Sequence, residues 1–451
     1  MRIHFIAIGG SAMHNLAIAL KQAGHIISGS DDEIFEPSKS RLQHFDLFPG
    51  QMGWHPELIS NNLDAVILGM HAKADNPELI QAQQMGVQVF SYPEFLAQHA
   101  QHKQRIVIGG SHGKTTITSM VMHVMKQLGF DFDYLVGSKI KNFDVMVRLN
   151  DESPTMIFEG DEYLSSPIDL RPKFHWYKPH IALISGIAWD HMNVFPTFEN
   201  YLDQFNRFIR GIEPNGVLIY SSDDEQLVQL VKNNPTVNSI GYGVHPHVVK
   251  KGVTRLLTEN GEVAIGLFGQ HNLQNLNGAR LICQQVGISD CDFYNAIGNF
   301  EGAANRLEKV LEEKGMIYFK DFAHAPSKVK ATVQAVRNQY PDRKLMACFE
   351  LHTYSSLNKS FLSEYIHTLD LADVACVYFN PHALTLKKLP MLMKRDVLSA
   401  FGRDDLHVFD QSSEVIDWIR KNKSENTVIL TMSSGNFDGI NHMELAKSLL
   451  Q

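Results

Sequence analysis

Gly109-Gly110-Ser111-His112-Gly113-Lys114-Thr115-Thr116 follows the apolar run Ile106-Val107-Ile108 and precedes Ile117, Met120, Val121, Val124, Met125 and Leu128 at helical spacing. This pattern predicts a buried strand, a glycine turn and an amphipathic helix. Such a turn supplies what a polyphosphate needs: unobstructed backbone N–H groups, a helix N-terminus, a lysine charge and a hydroxyl for Mg²⁺. The loop is one residue shorter than G-x-x-x-x-G-K-[ST], because Ile108 stands where the first glycine would be. A Lys-Thr-Thr run at a helix start has no packing purpose. Residues 109–116 therefore read as a phosphate-binding loop.

The chain has 451 residues, too many for one core and enough for about three domains. Its 44% hydrophobic and 20% charged content is that of an ordinary soluble protein, and its net charge of −8 argues against nucleic acid as a partner. Cys283, Cys291, Cys348 and Cys376 lack C-x-x-C spacing and read as packed thiols in a reducing compartment. The opening Met1-Arg2-Ile3-His4-Phe5-Ile6 enters a strand with no cleavable leader pattern, and no run reaches the roughly 20 apolar residues that span a bilayer. A cytoplasmic protein with no membrane partner is expected. No residue pattern specifies an oligomeric state.

Three strand–turn–helix systems in series predict three α/β domains, at 1–102, 103–307 and 308–451. The first opens with a strand over 3–8, the turn Gly9-Gly10, and a helix carrying Met13, Leu16, Ala17 and Leu20. A strand over 25–28 then leads to Gly29-Ser30-Asp31. Ala7-Ile8-Gly9-Gly10-Ser11-Ala12 keeps only the central glycine of G-x-G-x-x-G, so it serves any nucleotide diphosphate as well as NAD. The polar run His99-Ala100-Gln101-His102-Lys103-Gln104 marks the first boundary.

The second domain is expected to hold strands over 155–158, ending in Glu159-Gly160-Asp161-Glu162, and over 181–185, leading to Asp190-His191. Residues at the carboxyl ends of strands beside a phosphate loop face the ligand crevice of an open α/β sheet. Thr115, Glu159 and His191 are thus candidate Mg²⁺ contacts, the two oxygen donors being the easier fit. The same carboxylates would also suit a solvated strand end. Asn272 has an alternative as neighbour to a helix cap, Arg306 as an ion-pair partner of Glu308, and Asp321 as a cap for the helix after Pro326. The third alternation runs from a strand over 316–319 to one over 428–432 and the loop 433–439.

The motifs taken in order resemble the Mur ligases. Gly110-Ser111-His112-Gly113-Lys114-Thr115-Thr116, Glu159-Gly160-Asp161-Glu162, Asp190-His191-Met192, His271-Asn272 with Asn275, Asn305-Arg306-Leu307-Glu308 and Asp321-Phe322-Ala323-His324-Ala325-Pro326 cover nearly the whole chain. The resemblance implies an N-terminal Rossmann-like UDP-sugar domain, a central P-loop ATPase domain and a C-terminal Rossmann-like domain, with ATP and Mg²⁺ as cofactors. It implies that Gly110, Ser111, His112, Gly113, Lys114, Thr115 and Thr116 cradle ATP, with Lys114 at the β/γ-phosphates. Thr115, Glu159 and His191 would hold Mg²⁺. Asn272 and Asn275 would contact adenine, Arg306 the γ-phosphate, and Asp321 the ribose, with His324 lining the closed site. Lys114, His191 and Arg306 are the implied catalytic set, and Gly9, Gly10, Ser11, Ala12, Met13, Ser30 and Asp31 the UDP-sugar set.

Within the family the resemblance points to the branch that joins UDP-N-acetylmuramate to the murein tripeptide L-Ala-γ-D-Glu-meso-diaminopimelate in peptidoglycan recycling. The alternative acceptor is L-alanine, and a non-catalytic UDP-sugar-binding regulator is the alternative of another class. Tyr163, the segment 171–179 and Gly29-Ser30-Asp31 resemble the tripeptide branch, while Thr353 stands where the alanine-adding branch has arginine. The diaminopimelate-adding Asp-Asn-Pro-Arg motif is missing: Asp75-Asn76-Pro77 is followed by Glu78. No lysine lies between His191 and Lys232, which excludes the carbamylated lysine of other branches. Gly186, Ala188 and Ala325 depart from close relatives of either branch.

Overall fold

The computed structural model describes residues 1–140, 142–143, 145–189, 194–250, 252–300 and 307–450. Its contacts form two compact units, Met1–Val244 with Gln274–Ile297, and His245–Leu273 with Gly298–Gln451.

The first unit holds two largely parallel sheets. One is four-stranded, in the order Ile26–Ser30, Arg2–Ile6, Ala65–Leu68, Val89–Ser91. The other has seven strands, in the order Asn238–Tyr242, Val217–Ser221, Ile181–Ile184, Gln104–Gly109, Thr155–Glu159, Asp133–Leu135, Val147–Arg148, with only the last antiparallel. Uninterrupted runs such as Ala-Val-Ile-Leu at 65–68 and Ile-Ala-Leu-Ile at 181–184 are what strands covered on both faces require. A single apolar cluster includes Phe5, Leu16 and Leu96 from the first sheet's layer and Phe158, Phe174 and Phe205 from the second's.

The polar run at 99–104 is anchored. The fully buried Asp133 carboxylate accepts from His99 Nε2 at 2.9 Å and pairs with Lys103 Nζ at 3.2 Å. Lys103 also donates to the carbonyls of Asn150 and Ser153, both at 2.7 Å.

The second unit contains an antiparallel sheet of His247–Lys250, Val253–Thr258 and Gly261–Ile265. Its larger sheet runs Glu308–Glu313, Met316–Asp321, Thr427–Met432, Lys344–Leu351, Val374–Phe379, His407–Phe409, antiparallel only at the first pair. The expected strands at 3–8, 155–158, 181–185, 316–319 and 428–432 each have a counterpart displaced by at most two residues at either end. One expectation fails: Cys291 is exposed on the short helix Asp290–Ile297, whose inward positions belong to Phe293, Ala296 and Ile297, whereas the other three cysteines are buried. Among the described residues no helix is long and apolar enough to cross a membrane.

Behind the first glycine turn lies a buried polar knot. Glu78, at the start of the helix Pro77–Gln84 that Asn76 caps, accepts from Ser30 Oγ and the His55 amide at 2.5 Å each and faces His4 Nε2 at 3.2 Å. Burial alone would raise the Glu78 pKa, but the hydrogen bonds from His4, His55 and Ser30 outweigh it and hold the carboxyl below its ordinary range. Because the folded-state value is the lower one, the knot's contribution is complete at neutral pH and is lost as pH falls through that value. Glu78→Ala strands three polar groups and is expected to cost about 3–5 kcal/mol, measured from the urea midpoint at pH 7. A loss below about 1 kcal/mol would contradict this reading.

Candidate active site

The strand Gln104–Gly109 runs between Ile181–Ile184 and Thr155–Glu159, so its glycine loop opens where chain connections diverge to either side. Gly110 and Gly113 have φ of +116° and +82°, a region that favours glycine, and neither has room for a side chain. A Cβ at Gly110 would lie 2.4 Å from Ser185 Oγ, and one at Gly113 would lie 2.4 Å from Asn275 Oδ1. The helix Lys114–Gln127 begins without a side-chain cap, leaving its N-terminal amides directed at the loop.

The loop is held largely through backbone groups of the next strand's exit. The Ser111 amide donates to the Gly186 carbonyl at 3.0 Å, and Ser111 Oγ exchanges hydrogen bonds with the Ala188 carbonyl and amide at 2.8 Å each. The side-chain departures at Gly186 and Ala188 therefore leave these bonds in place. Ser185 Oγ donates to the His112 carbonyl, and Thr116 lies buried in the helix's first turn.

The acidic strand end is no solvated tip. In the parallel register Ile108 faces Glu159, which brings Thr115 Oγ1 to donate to Glu159 Oε1 at 2.7 Å, while the Gly137 amide holds Glu159 Oε2 at 2.9 Å. A hydroxyl and a carboxylate oxygen this close are hard donors suited to Mg²⁺, which takes oxygen ligands and retains water. Lys114 Nζ reaches Glu162 Oε2 and the Gly110 carbonyl, both at 2.7 Å, and Glu162 Oε1 accepts from the buried Tyr201 hydroxyl at 3.2 Å. Burial would lower the Lys114 pKa, but Glu162, followed by Asp161 and Glu159, more than offsets it, so the ammonium is held charged.

A cavity of about 320 Å³ joins this cluster to the first glycine turn. Gly10, Ser11, Ala12 and Met13 form one side and Lys114, Glu159, Asp161 and Lys173 another. The helix Ser11–Gln22 also starts without a side-chain cap, so two helix N-termini open on one space. Gly9, Ser30 and Asp31 are placed behind this lining: the Gly9 amide donates to Asp31 Oδ2 at 2.7 Å, and Ser30 is fully buried against Glu78. Burial pushes the Asp31 pKa up to about 6, against the lowering hydrogen bond from Gly9.

Asn275 abuts Gly113 within the first unit, and Asn272 belongs to the second, where its Nδ2 donates to the Phe268 carbonyl at 3.0 Å. Also in the second unit, Asp321 accepts from the Ala323 amide at 2.7 Å and the Leu307 amide at 2.5 Å, and His324 Nδ1 is 2.8 Å from the Phe322 carbonyl. His191 and Arg306 lie outside the described residues, as do Asp190 and Asn305. Tyr92 and Lys173, which line the cavity, and Tyr201, which donates to Glu162, were not singled out as site candidates from the sequence. Tyr201 sits among apolar helical positions and gives no signal, whereas Lys173 was legible only as part of the 171–179 segment.

The chain matches the family description "Mur ligase family, catalytic domain" over residues 2–104, "Mur ligase middle domain" over 108–283 and "Mur ligase, glutamate ligase domain" over 305–435. The UDP-N-acetylmuramate–L-alanine ligase of Carboxydothermus hydrogenoformans is 27% identical, covering 99% of this chain and 97% of that protein. A solved structure of UDP-N-acetylmuramate:L-alanyl-gamma-D-glutamyl-meso-diaminopimelate ligase from Neisseria meningitides is 25% identical with a TM-score of 0.60, covering 66% of this chain and 98% of that one. The fold is also that of UDP-N-acetylmuramate-alanine ligase from Thermotoga maritima, at 19% identity and a TM-score of 0.70 over 100% and 98% of the two chains. With the three domains matched in order and a relative aligned from end to end, the chain belongs to the Mur ligase family, whose members are ATP-dependent ligases that form amide C–N bonds.

Proposed function

We propose that this protein is a cytoplasmic UDP-N-acetylmuramate ligase that activates the sugar's lactyl carboxylate with ATP and joins it to an amine, L-alanine being the acceptor its full-length relatives favour. The domain division 1–102, 103–307 and 308–451 belongs to this reading. The observation that carries it is a cavity onto which two uncapped helix N-termini open together. One suits the diphosphate of a nucleotide sugar and the other the phosphates of ATP.

In this reading a lactyl carboxylate oxygen bonds to the γ-phosphorus while the bond to the β,γ-bridging oxygen breaks, releasing ADP. The amine then bonds to the acyl carbon, loses a proton, and the carbon–oxygen bond to phosphate breaks. Residues 110–116 cradle ATP, and Lys114 exchanges Glu162 for the β/γ-phosphates. Thr115 and Glu159, with His191, would hold Mg²⁺, which would supply charge neutralisation at the transferring group. Gly10, Ser11, Ala12 and Met13 face the UDP-sugar, Gly9, Ser30 and Asp31 shape that turn from behind, and Arg306 serves the γ-phosphate. Asn272 and Asn275 serve adenine, Asp321 the ribose, and His324 the lining.

The tripeptide acceptor remains a second reading because of position 353. Thr353 Oγ1 accepts from the Ser356 amide at 3.1 Å, closing a serine-rich turn where the alanine-adding pattern carries arginine. A hydroxyl so engaged offers no charge to an amino acid's carboxylate.

ADP release with UDP-N-acetylmuramate is expected with L-alanine and not with the tripeptide; the opposite preference would reassign the acceptor, and turnover with neither would overturn the ligase reading. Lys114→Ala is expected to lower ATP turnover by about 1,000-fold or more, through loss of charge stabilisation at the phosphates. Ligation at the normal rate by this variant would contradict the assigned site.

A further inference from the structure

Lys173 lies between the acidic turn and the sugar-side wall of the cavity. Its amide donates to the Tyr163 carbonyl at 3.0 Å, and its Nζ reaches Asp161 Oδ2 at 2.5 Å. The ammonium sits 5.6 Å from the ring centroids of both Tyr92 and Tyr163. Only 12% of the side chain is exposed, and it lines the same cavity as Lys114 and the turn residues Gly10–Met13.

The chemistry makes a demand that Lys114 does not meet alone. A carboxylate attacking a γ-phosphate brings two anions to reacting distance, and their repulsion is severe in a partly desolvated cleft. Lys114, at the phosphate helix, belongs to the nucleotide. Among the described residues lining the cavity, Lys173 is the other lysine or arginine. An ammonium has three N–H donors, so Lys173 can keep Asp161 and still donate to a second anion. The aspartate and the two aromatic faces fix the ammonium in place before any ligand arrives.

We infer that Lys173 binds the lactyl carboxylate of the muramyl substrate, orienting it for attack and distinguishing this sugar from nucleotide sugars that lack the acid. The inference rests on UDP-N-acetylmuramate being the substrate. It assigns Lys173 a charge-assisted hydrogen bond to one reacting group and leaves the UDP portion to the first glycine turn.

Calorimetric titration of the intact protein with UDP-N-acetylmuramate and with UDP-N-acetylglucosamine, which has the same nucleotide and sugar ring without the lactyl acid, separates this role from a structural one. Lys173→Met is expected to weaken UDP-N-acetylmuramate binding at least about tenfold, as loss of a hydrogen bond to a charged group does, while UDP-N-acetylglucosamine binding changes less than about twofold. Lys173→Gln, which still donates to Asp161 without the charge, is expected to show the same selective loss and decides the matter should Lys173→Met fail to fold. An unchanged ratio of the two affinities, or equal losses for both ligands in Lys173→Gln, would overturn the inference. Wild-type protein that releases no ADP with UDP-N-acetylmuramate and either acceptor would instead remove the substrate assignment, so the two failures are told apart.

Discussion

The register between the strands Gln104–Gly109 and Thr155–Glu159 is the constraint from which the first unit's chemistry follows. Parallel pairing sets Ile108 opposite Glu159, so the phosphate loop and the acidic turn leave the sheet at the same level. Thr115 then meets Glu159, and Lys114 meets Glu162. A slip of one residue would turn Glu159 to the other face of the sheet and separate the metal-suited oxygens. Both strands are buried along nearly their whole length, which resists such a slip.

The acidic turn is built as carefully as the loop. A Cβ on Gly160 would approach Val107 Cγ1 to 2.9 Å, so the chain passes tightly over the phosphate-loop strand there. Glu162 is nearly inaccessible and ties Lys114 to Tyr201, whose hydroxyl also lies 3.0 Å from Ser111 Oγ. The site thus balances its lysines against carboxylates, Lys114 against Glu162 and Lys173 against Asp161. Such preorganised charge suits a reaction in which stabilising a transferring phosphoryl group is most of the catalytic task.

Much of this was legible in the sequence because periodicity and glycine punctuation are local signals. The strand, loop and helix at 106–128 follow from spacing alone, and Glu159 from its place at a strand end. What sequence obscured is orientation. The resemblance places Ser30 and Asp31 in the UDP-sugar set, and the pattern gives no hint that Ser30 Oγ donates to Glu78 or that Asp31 accepts from the Gly9 amide. Glu162 carried a solvated strand end as its alternative reading, and the fold shows it buried against Lys114. Tyr201 and Lys173 contribute across more than 30 and about ten residues of chain respectively, distances over which pattern carries no information about contact.

The central claim is that the muramyl carboxylate itself attacks ATP. Substrate labelled with oxygen-18 in the lactyl carboxylate, turned over with ATP and the preferred acceptor, tests it by mass spectrometry of the released phosphate. One labelled oxygen per phosphate is expected, because the carboxylate oxygen that bonds to phosphorus leaves with it when the amine arrives. Phosphate free of label, with both heavy atoms absent from it after full conversion to product, would contradict carboxylate phosphorylation and with it the role given to the loop at 109–116.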